Sequence, residues 1–271
     1  MSGIESSHAR PDRGGESGPV ALVTGGGAPR IGNCVARTLA AHGYRVVLHA
    51  RRSLAAARAT ADELRASGAE VAVVAADLTD EQAVGAMVRE ALATFGRIDA
   101  LVNCAAIWES KRLEDVTAAD VRRHFDANTL GTFLCCQQVG LAMAAQESGG
   151  AIVNFGDWAT VRPYLDYAAY FPSKGAIPAL TRTFAVELAR RNPRVRVNAI
   201  LPGPAMLPHD LPETERRAAI GGTLVKREGA PRHIADAVLF LLRNDFVTGV
   251  CLPVDGGRSI ANGFASETPL G

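Results

Sequence analysis

The sequence predicts an α/β protein in which a doubly wound, seven-stranded parallel sheet is covered by helices on both faces. Seven short apolar runs read as strands buried on both sides, and longer amphipathic patterns separate them. Strands that alternate with helices form right-handed βαβ units, whose ligand crevice lies beyond the carboxyl ends of the strands. The predicted strands are 20–25, 44–50, 70–78, 98–105, 151–156, 195–203 and 249–257, and the predicted helices are 32–42, 53–67, 80–95, 117–146, 173–191 and 231–243.

Length and composition favour a single globular domain. The chain has 271 residues, of which 48% are hydrophobic and 21% charged, and α/β folds of this length often form one unit. We expect a flexible leader at 1–18, the domain at 19–258 and a turn-rich tail at 259–271 that Phe264 could anchor. Because 29 Lys and Arg balance 28 Asp and Glu, no global field favours nucleic acid or a membrane surface as a partner.

The cysteines and the length of the apolar runs indicate in which cellular compartment the protein is expected. Five cysteines is an odd number, and their spacing is not that of metal ligands, so we expect reduced thiols, no metal site and a cytoplasmic protein. No run reaches the roughly 18 apolar residues of a membrane span, and the N-terminus lacks the apolar core of a signal peptide.

A glycine-rich loop, "TGGGAPRIG" at 24–32, joins the first predicted strand to the first helix. Such a loop lets backbone N–H groups and a helix N-terminus face a diphosphate, as in the dinucleotide-binding Rossmann fold. We therefore predict that Gly25, Arg30, Ile31 and Gly32 contact the cofactor. The alternative is a plain tight turn.

The end of the second strand, "LHARRS", predicts which dinucleotide is bound. An acid here accepts hydrogen bonds from the ribose 2′-OH of NAD, whereas a basic group accommodates the 2′-phosphate of NADP. The segment offers His49, Arg51, Arg52 and Ser53 and no acid, so it favours NADPH/NADP. Alternatively, the two arginines are only the solvated start of the next helix.

Tyr170 and Lys174 predict an oxidoreductase site, because residues four apart share one helix face. A phenol has a reference pKa of about 10, and a nearby ammonium lowers it. Tyr170 could then exchange the proton that accompanies hydride transfer, while Lys174 also bonds the nicotinamide ribose. We expect Tyr164 and Tyr167 to line the substrate mouth, and Pro172 fits only the first turn of the helix.

From residue 19 to residue 258 the chain resembles the short-chain dehydrogenases/reductases. The resemblance is carried, in chain order, by the glycine-rich loop, Asp77-Leu78, "NCAA" (103–106), Asn128, Tyr170 with Lys174, "NAILPGP" (198–204) and "VDGG" (254–257). Two features depart from the common pattern: the glycine loop is one residue longer and contains Pro29, and "NCAA" replaces the frequent Asn-Asn-Ala-Gly.

The resemblance implies roles for residues that spacing alone does not assign. It implies that Asn128 sits at a helix kink holding a water that links Lys174 to solvent, although a mid-helix amide is more often merely tolerated. It also implies a homotetramer with contacts near "VDGG". The further cofactor-binding residues implied are Asp77 and Leu78 near the adenine, Asn103 and Ala105 along the cofactor, and Pro202 and Gly203 at the nicotinamide amide.

Asp157 stands thirteen residues before Tyr170, where most of the family has a serine that donates to a carbonyl oxygen. An ionised carboxylate only accepts hydrogen bonds, so it suits a substrate that presents N–H groups or a ring nitrogen to be protonated. The pteridine reductases share this Asp, a similar "LHARRS" segment and an aromatic ring at the position of Trp108, which would sandwich a pterin. Alternatively, Asp157 caps a loop or pairs with Arg162, and Trp108 covers core.

These observations lead to one functional hypothesis and two alternatives. The first is an NADPH-dependent reductase of a small molecule with a pterin-like C=N bond, in which Asp157, Tyr170 and Trp108 contact the substrate and Asn128 assists Lys174. The second is a reductase of ketones or acyl-thioester ketones, and the third a dinucleotide-binding regulator without turnover. Residues 204–226, with His209, Asp210 and Arg216, are expected to form a mobile lid.

Overall fold

A computed structural model describes residues 18–208 and 210–261. The strands are β1 (Val20–Thr24), β2 (Arg45–Ala50), β3 (Val71–Ala75), β4 (Ala100–Asn103), β5 (Gly150–Phe155), β6 (Val195–Pro202) and β7 (Cys251–Val254). The helices are α1 (Ile31–Ala41), α2 (Leu54–Ala66), α3 (Glu81–Phe95), α4 (Ala118–His124), α5 (Gly131–Ala145), α6 (Tyr170–Ala189), α7 (Glu213–Gly221) and α8 (Pro231–Arg243). The predicted leader falls outside the described residues except for Gly18, as do His209 and the tail from 262 onward, including Phe264.

The sheet is the predicted one. Its seven strands are all parallel, in the order β3-β2-β1-β4-β5-β6-β7. The chain moves outward from β1 to β3, then returns to place β4 on the other side of β1, which makes the β1–β4 boundary the topological switch point. In open α/β sheets the ligand crevice lies there, at the carboxyl ends of the strands.

The core lies in two layers, one on each face of the sheet. Alternate residues of β1 point to opposite faces: Val20 and Leu22 pack with α3, α5 and α6, whereas Ala21 and Val23 pack with α1, α2 and α8. This alternation follows from the period of two along a strand. Because both layers are apolar, the central strands have no polar face, which is why their sequences read as continuous apolar runs.

Two predicted segments differ from the structure. The single helix expected at 117–146 is α4, a π-helix at Phe125–Leu130 and α5 in succession. A π-turn carries one residue more than an α-turn, and it is invisible to hydrophobic periodicity. The lid expected at 204–226 contains a helix, α7, whose exposed, charge-rich sequence offered no apolar stripe.

Helix α6 begins at Tyr170, three residues before the predicted start, and includes Pro172 and Pro178. Pro172 lies in the first turn, as predicted, where its missing N–H costs nothing. In the described part of the chain no helix is long and apolar enough to cross a membrane.

Candidate active site

A cleft of about 1070 Å³ opens at the carboxyl ends of the strands and extends across the switch point. Almost all of the residues predicted for cofactor and substrate line it together. They are Gly25, Arg30, Ile31, Gly32, His49, Arg51, Arg52, Ser53, Asp77, Leu78, Ala105, Trp108, Asp157, Tyr170, Lys174, Pro202 and Gly203. Asn103 and Asn128 are not in the lining. No group of three or more His, Cys, Asp or Glu that could hold a metal occurs among the described residues.

The glycine-rich loop closely approaches the end of β4. Gly25 has a φ of +67°, and a Cβ there would lie 2.9 Å from the Cα of Ala105. Both constraints require glycine. Helix α1 begins directly after Arg30, whose side chain makes no capping hydrogen bond, and Arg30, Ile31 and Gly32 at this helix N-terminus all line the cleft. This arrangement fits a diphosphate.

His49 holds the loop rather than presenting a charge. The Gly25 N–H donates to its Nδ1 (3.2 Å), and its Nε2 is 3.0 Å from the carbonyl oxygen of Ala76. An Nδ1 that accepts is unprotonated, so Nε2 carries the proton and donates it. Burial lowers the pKa of this imidazole, which keeps it neutral. His49 therefore fixes Gly25 against the ends of β2 and β3, a role that the sequence did not predict.

The two arginines after β2 are in different situations. Arg51 pairs with Asp77 at 3.1 Å, whereas Arg52 is exposed and forms no ion pair with a described residue. The Asp77 carboxylate also accepts from the N–H and hydroxyl of Thr79, and these bonds, together with Arg51, lower its pKa. The cleft thus has a fixed carboxylate at the predicted adenine end and one uncommitted guanidinium near it.

Asn103 lies beneath the cleft. Its Nδ2 donates to Oδ1 of Asn154 (2.9 Å), and its Oδ1 is buried without a hydrogen-bond partner in the described chain. The side chain therefore joins β4 to β5 and does not line the cleft, contrary to the predicted contact with the cofactor. The next residue, Cys104, does line the cleft, and burial raises the pKa of its thiol, which keeps it protonated.

Asp157 and Tyr170 are in direct contact at the centre of the cleft. The Tyr170 hydroxyl donates to Oδ2 of Asp157 at 2.8 Å, and Oδ1 accepts from the N–H of Ala159 at 2.8 Å. Burial raises the pKa of the Asp157 carboxyl. Burial and the Asp157 charge raise the pKa of the Tyr170 phenol well above 10, so the lowering by Lys174 that we expected from the sequence was wrong for the protein without ligand. The phenol is therefore a protonated donor, and the carboxylate has two fixed hydrogen bonds and room for further donors.

Asp157 thus combines two of the roles weighed from the sequence. It caps the short 3₁₀-helix at Trp158–Thr160, and it contacts the predicted proton donor. It does not pair with Arg162, which instead donates to the carbonyl oxygens of Arg258 and Ala261.

Lys174 is buried below Tyr170, one helical turn further along α6. Its Nζ donates to the carbonyl oxygen of Phe155 at 2.7 Å. Burial lowers the pKa of this ammonium to about 8, against the opposing influence of Asp157. The amine therefore titrates near neutral pH, which suits a group that passes protons.

Asn128 lies within the π-helix and ties two elements together. Its Oδ1 accepts from the N–H of Ile107 (2.8 Å), and its Nδ2 donates to the carbonyl of Ile107 and to Oγ of Ser173, both at 3.0 Å. Both amide hydrogens are thereby used. A water that connects Asn128 to Lys174, as the resemblance implies, would therefore have to donate to a carbonyl oxygen: the second lone pair of Asn128 Oδ1 or a main-chain carbonyl of the π-helix.

We expect Asn128→Ala to reduce turnover by about tenfold or more while the affinity for the dinucleotide changes little. The substitution leaves two backbone groups of Ile107 without their partner, at about 1–3 kcal/mol for each unsatisfied group, and releases the π-turn. Steady-state kinetics and calorimetric titration with the dinucleotide would measure the two effects. Loss of dinucleotide binding with unchanged turnover of the bound enzyme would contradict a relay role.

Four aromatic side chains form one wall of the cleft, which we call the aromatic wall: Trp108, Tyr167, Tyr164 and Trp158. Trp108 stacks on Tyr167 with ring centroids 5.1 Å apart and planes 13° apart. Tyr164 meets Tyr167 edge-on at 5.1 Å and stacks near Trp158 at 6.3 Å. Trp108 remains 44% exposed, so it does not cover core. The wall offers flat apolar surface to a planar substrate.

The sequence did not identify three charged residues of the cleft, which are Asp166, Glu215 and Arg258. Arg258 directly follows "VDGG" and lines the cleft near α7. Its only signal in the sequence is its place directly after that motif. Its position depends on a contact with Ala219 of α7, which the sequence does not reveal. Asp210 and Arg216, predicted near the mouth, are not in the lining, and Arg216 pairs with Glu228 at 2.8 Å.

Comparisons with known proteins agree with this geometry. A family model described as enoyl-(acyl carrier protein) reductase matches residues 26–259. A 3-oxoacyl-(acyl carrier protein) reductase of Synechocystis is 34% identical, over 88% of this chain and 96% of its own. Pteridine reductase 1 of Leishmania tarentolae is 32% identical, over 89% and 96%. The crystal structure of acetoin dehydrogenase from Enterobacter cloacae superposes with a TM-score of 0.82 and 29% identity, covering 92% of this chain and 99% of that one.

Proposed function

The chain belongs to the short-chain dehydrogenase/reductase family and is a nicotinamide-dinucleotide-dependent oxidoreductase, and from this premise we propose that it reduces a pterin-like C=N bond with NADPH. A dihydropterin or dihydrofolate is the substrate class. The observation that carries the proposal is the carboxylate of Asp157, bonded to the Tyr170 hydroxyl at 2.8 Å inside the cleft. A group that only accepts hydrogen bonds selects a substrate that donates them.

The chemistry of this chain's residues follows from their positions. When bound, the dinucleotide supplies the hydride to a ring carbon. The ring nitrogen gains a proton, which comes from the Tyr170 phenol, and the ammonium of Lys174 stabilises the phenolate left behind. Asp157 accepts the substrate's N–H groups and fixes the ring in the plane that the aromatic wall defines. The raised pKa of Tyr170 keeps the proton in place until a substrate arrives.

The assay that tests the proposal measures NADPH oxidation with dihydrobiopterin and dihydrofolate, beside acetoacetyl thioesters and simple diketones. We propose turnover of the pterins. Activity confined to the ketones would contradict a pterin reductase and indicate a carbonyl reductase.

The alternative function is that of a carbonyl reductase acting on ketones or 3-oxoacyl thioesters. Two observations support it: the relative from Synechocystis is a 3-oxoacyl reductase at slightly higher identity than the pteridine reductase, and burial raises the pKa of Asp157. A protonated Asp157 would donate to a carbonyl oxygen as serine does. Dinucleotide binding without NADPH oxidation in the presence of any substrate would instead indicate a regulator. The presence of both Tyr170 and Lys174 argues against that role.

Support for NADPH over NADH comes from the end of β2. Arg52 and the N-terminus of α2 at Ser53 lie in the lining with no acid among residues 49–53, so a 2′-phosphate would meet positive groups there. Arg51 is already paired with Asp77, which leaves Arg52 as the guanidinium available to the phosphate.

We expect Arg52→Ala to raise the KM for NADPH by about tenfold, because a charge-assisted hydrogen bond at a partly exposed site is lost. The KM for NADH should stay within about twofold. Arg58→Ala removes an exposed cation of α2, six residues further along the chain and outside the cleft lining, and serves as the control. Equal changes for both dinucleotides would mean that Arg52 does not read the phosphate.

We also propose a homotetramer in the cytoplasm. Exposed apolar side chains on α5, α6 and α8, including Phe133, Leu141, Val186 and Phe240, offer surface for subunit contacts. All five cysteines are free thiols, as expected in a reducing compartment. Sedimentation velocity would report whether the species has four times the 28.5 kDa mass of one chain.

A further inference from the structure

Arg258 lies at the far end of the aromatic wall from Trp108, within the same cleft as Asp157 and Tyr170. Its guanidinium sits over the ring of Trp158, with Cζ 4.7 Å from the ring centroid. This cation–π contact holds the guanidinium against the ring. The wall therefore ends in a cation whose position is fixed.

The donors of Arg258 are only partly used. Its Nη1 donates to the carbonyl oxygen of Ala219, near the end of α7. A guanidinium has five N–H donors, and Arg258 forms no ion pair with any residue that the structure describes. Asp255, a carboxylate whose charge acts on Arg258, is committed to the N–H groups of Gly257 and Ser259.

Other carboxylates line the cleft without pairing with Arg258. Asp157 is bonded to Tyr170 and Ala159, and Asp166 and Glu215 lie in the lining without an ion pair to a described residue. A half-buried cation that has lost part of its hydration without gaining a charged partner is a favourable place for an anion. The neighbouring Arg162 adds positive charge on the same side.

We propose that Arg258 binds a carboxylate carried by the substrate, at the end remote from the reacting bond. The ligand class is a planar aromatic compound with an anionic substituent: its reacting ring lies near Trp108 and Asp157, and its carboxylate meets the guanidinium over Trp158. The orientation of the ring rests on the proposed function. Among pterin-like substrates, the proposal selects dihydrofolate, which carries two carboxylates, over dihydrobiopterin, which carries none.

A purely structural role for Arg258 makes a different prediction. The contact with Ala219 anchors α7, and a Cβ on Gly222 would lie 2.8 Å from Nη1, so the side chain packs tightly there. If anchoring were its whole role, its loss would loosen the cleft for every substrate alike. The ratio of kcat/KM for charged and uncharged substrates would therefore stay unchanged if Arg258 only anchored α7.

The test compares kcat/KM for dihydrofolate and dihydrobiopterin in the wild-type enzyme and in Arg258→Met. We expect about a 10- to 100-fold loss for dihydrofolate, mostly through KM, and a change within about twofold for dihydrobiopterin. Arg258→Lys should fall between, because an ammonium keeps the charge without the bidentate geometry.

Lys226→Met is the matched control. Lys226 also donates to a carbonyl at the end of α7, that of Gly221 at 2.7 Å, but it does not line the main cleft. We expect it to leave the ratio of the two kcat/KM values unchanged. Equal losses for both pterins in Arg258→Met, or no loss for either, would overturn the anion site while leaving the pterin proposal standing.

A second pair of compounds separates this inference from the proposed function. If the wild-type enzyme reduces neither pterin, 4-acetylbenzoate and its methyl ester offer the same comparison for a flat ketone with and without a remote carboxylate. Calorimetric Kd values of these two compounds for the NADP-loaded protein give the comparison independently of turnover. Preference for the carboxylate that disappears in Arg258→Met supports the anion site, and no preference overturns it.

Discussion

Tyr170→Phe should lower kcat by about 10² to 10⁴-fold, the usual contribution of a positioned proton donor, while binding of the dinucleotide is retained. The phenol hydroxyl is bonded to Asp157 and is the proposed proton donor, and phenylalanine keeps the ring that packs against Phe171 and Tyr167. The change therefore removes one proton and little packing. Stopped-flow measurement of NADPH oxidation, with calorimetric titration of the dinucleotide, would separate chemistry from binding.

The same cleft provides the control for this variant. Tyr167→Phe removes a hydroxyl three residues away in the same lining, one that does not contact Asp157 and is bonded to Ser110. We expect a change of a few-fold at most. A Tyr167→Phe defect as large as that of Tyr170→Phe would mean that the proton donor has been misassigned.

Asp157→Ser should lower kcat/KM for a pterin substrate by about 100-fold or more. Each charge-assisted hydrogen bond from a substrate N–H to the carboxylate contributes about 1.5–3 kcal/mol, which corresponds to roughly 10- to 100-fold per bond. The serine hydroxyl instead donates to a carbonyl oxygen, so the relative activity on ketones should rise. The ratio of pterin to ketone turnover is the measurement.

Asp157→Asn distinguishes the charge of this residue from its capping role. Its amide oxygen can still accept from the Ala159 N–H, which is bonded to Oδ1 at 2.8 Å in the wild-type chain, so the 3₁₀-turn is kept. We expect the same loss of pterin turnover with little loss of thermal stability. Unchanged pterin turnover in both variants would remove the carboxylate from the mechanism.

Removal of the Asp157 charge should also change the pH profile. Burial is the main cause of the raised Tyr170 pKa, and the Asp157 carboxylate is the next. Without that negative charge the phenol ionises at lower pH, so the pH at which the reductive rate declines should move downward in Asp157→Ser.

The arrangement of strands and the position of the cleft were predictable because each strand and helix has its own hydrophobic pattern, and these patterns alternate along the whole chain. Buried parallel strands leave continuous apolar runs, and the switch point follows from strand order. The placing of Tyr170 and Lys174 on one face of α6 was predictable because residues four apart on a helix share a face.

What the sequence could not predict depends on contacts between distant segments. The neutral, loop-holding role of His49 depends on Gly25 and Ala76, which lie 24 and 27 residues away along the chain. The π-turn at Asn128 depends on Ile107, and the place of Arg258 depends on the path of α7. None of these contacts leaves a periodic signal in its own segment.

The hydrogen bonds of His49 have a consequence for redesign of the dinucleotide preference. Within "LHARRS", the side chain of His49 holds the backbone of the glycine-rich loop at Gly25, whereas Arg51 and Arg52 line the cleft. Support of the loop and the proposed contact with the dinucleotide are therefore assigned to different residues within four consecutive positions, 49–52. A library that varies positions 51 and 52 alone explores cofactor choice on an intact loop, and one that includes position 49 changes the scaffold at the same time.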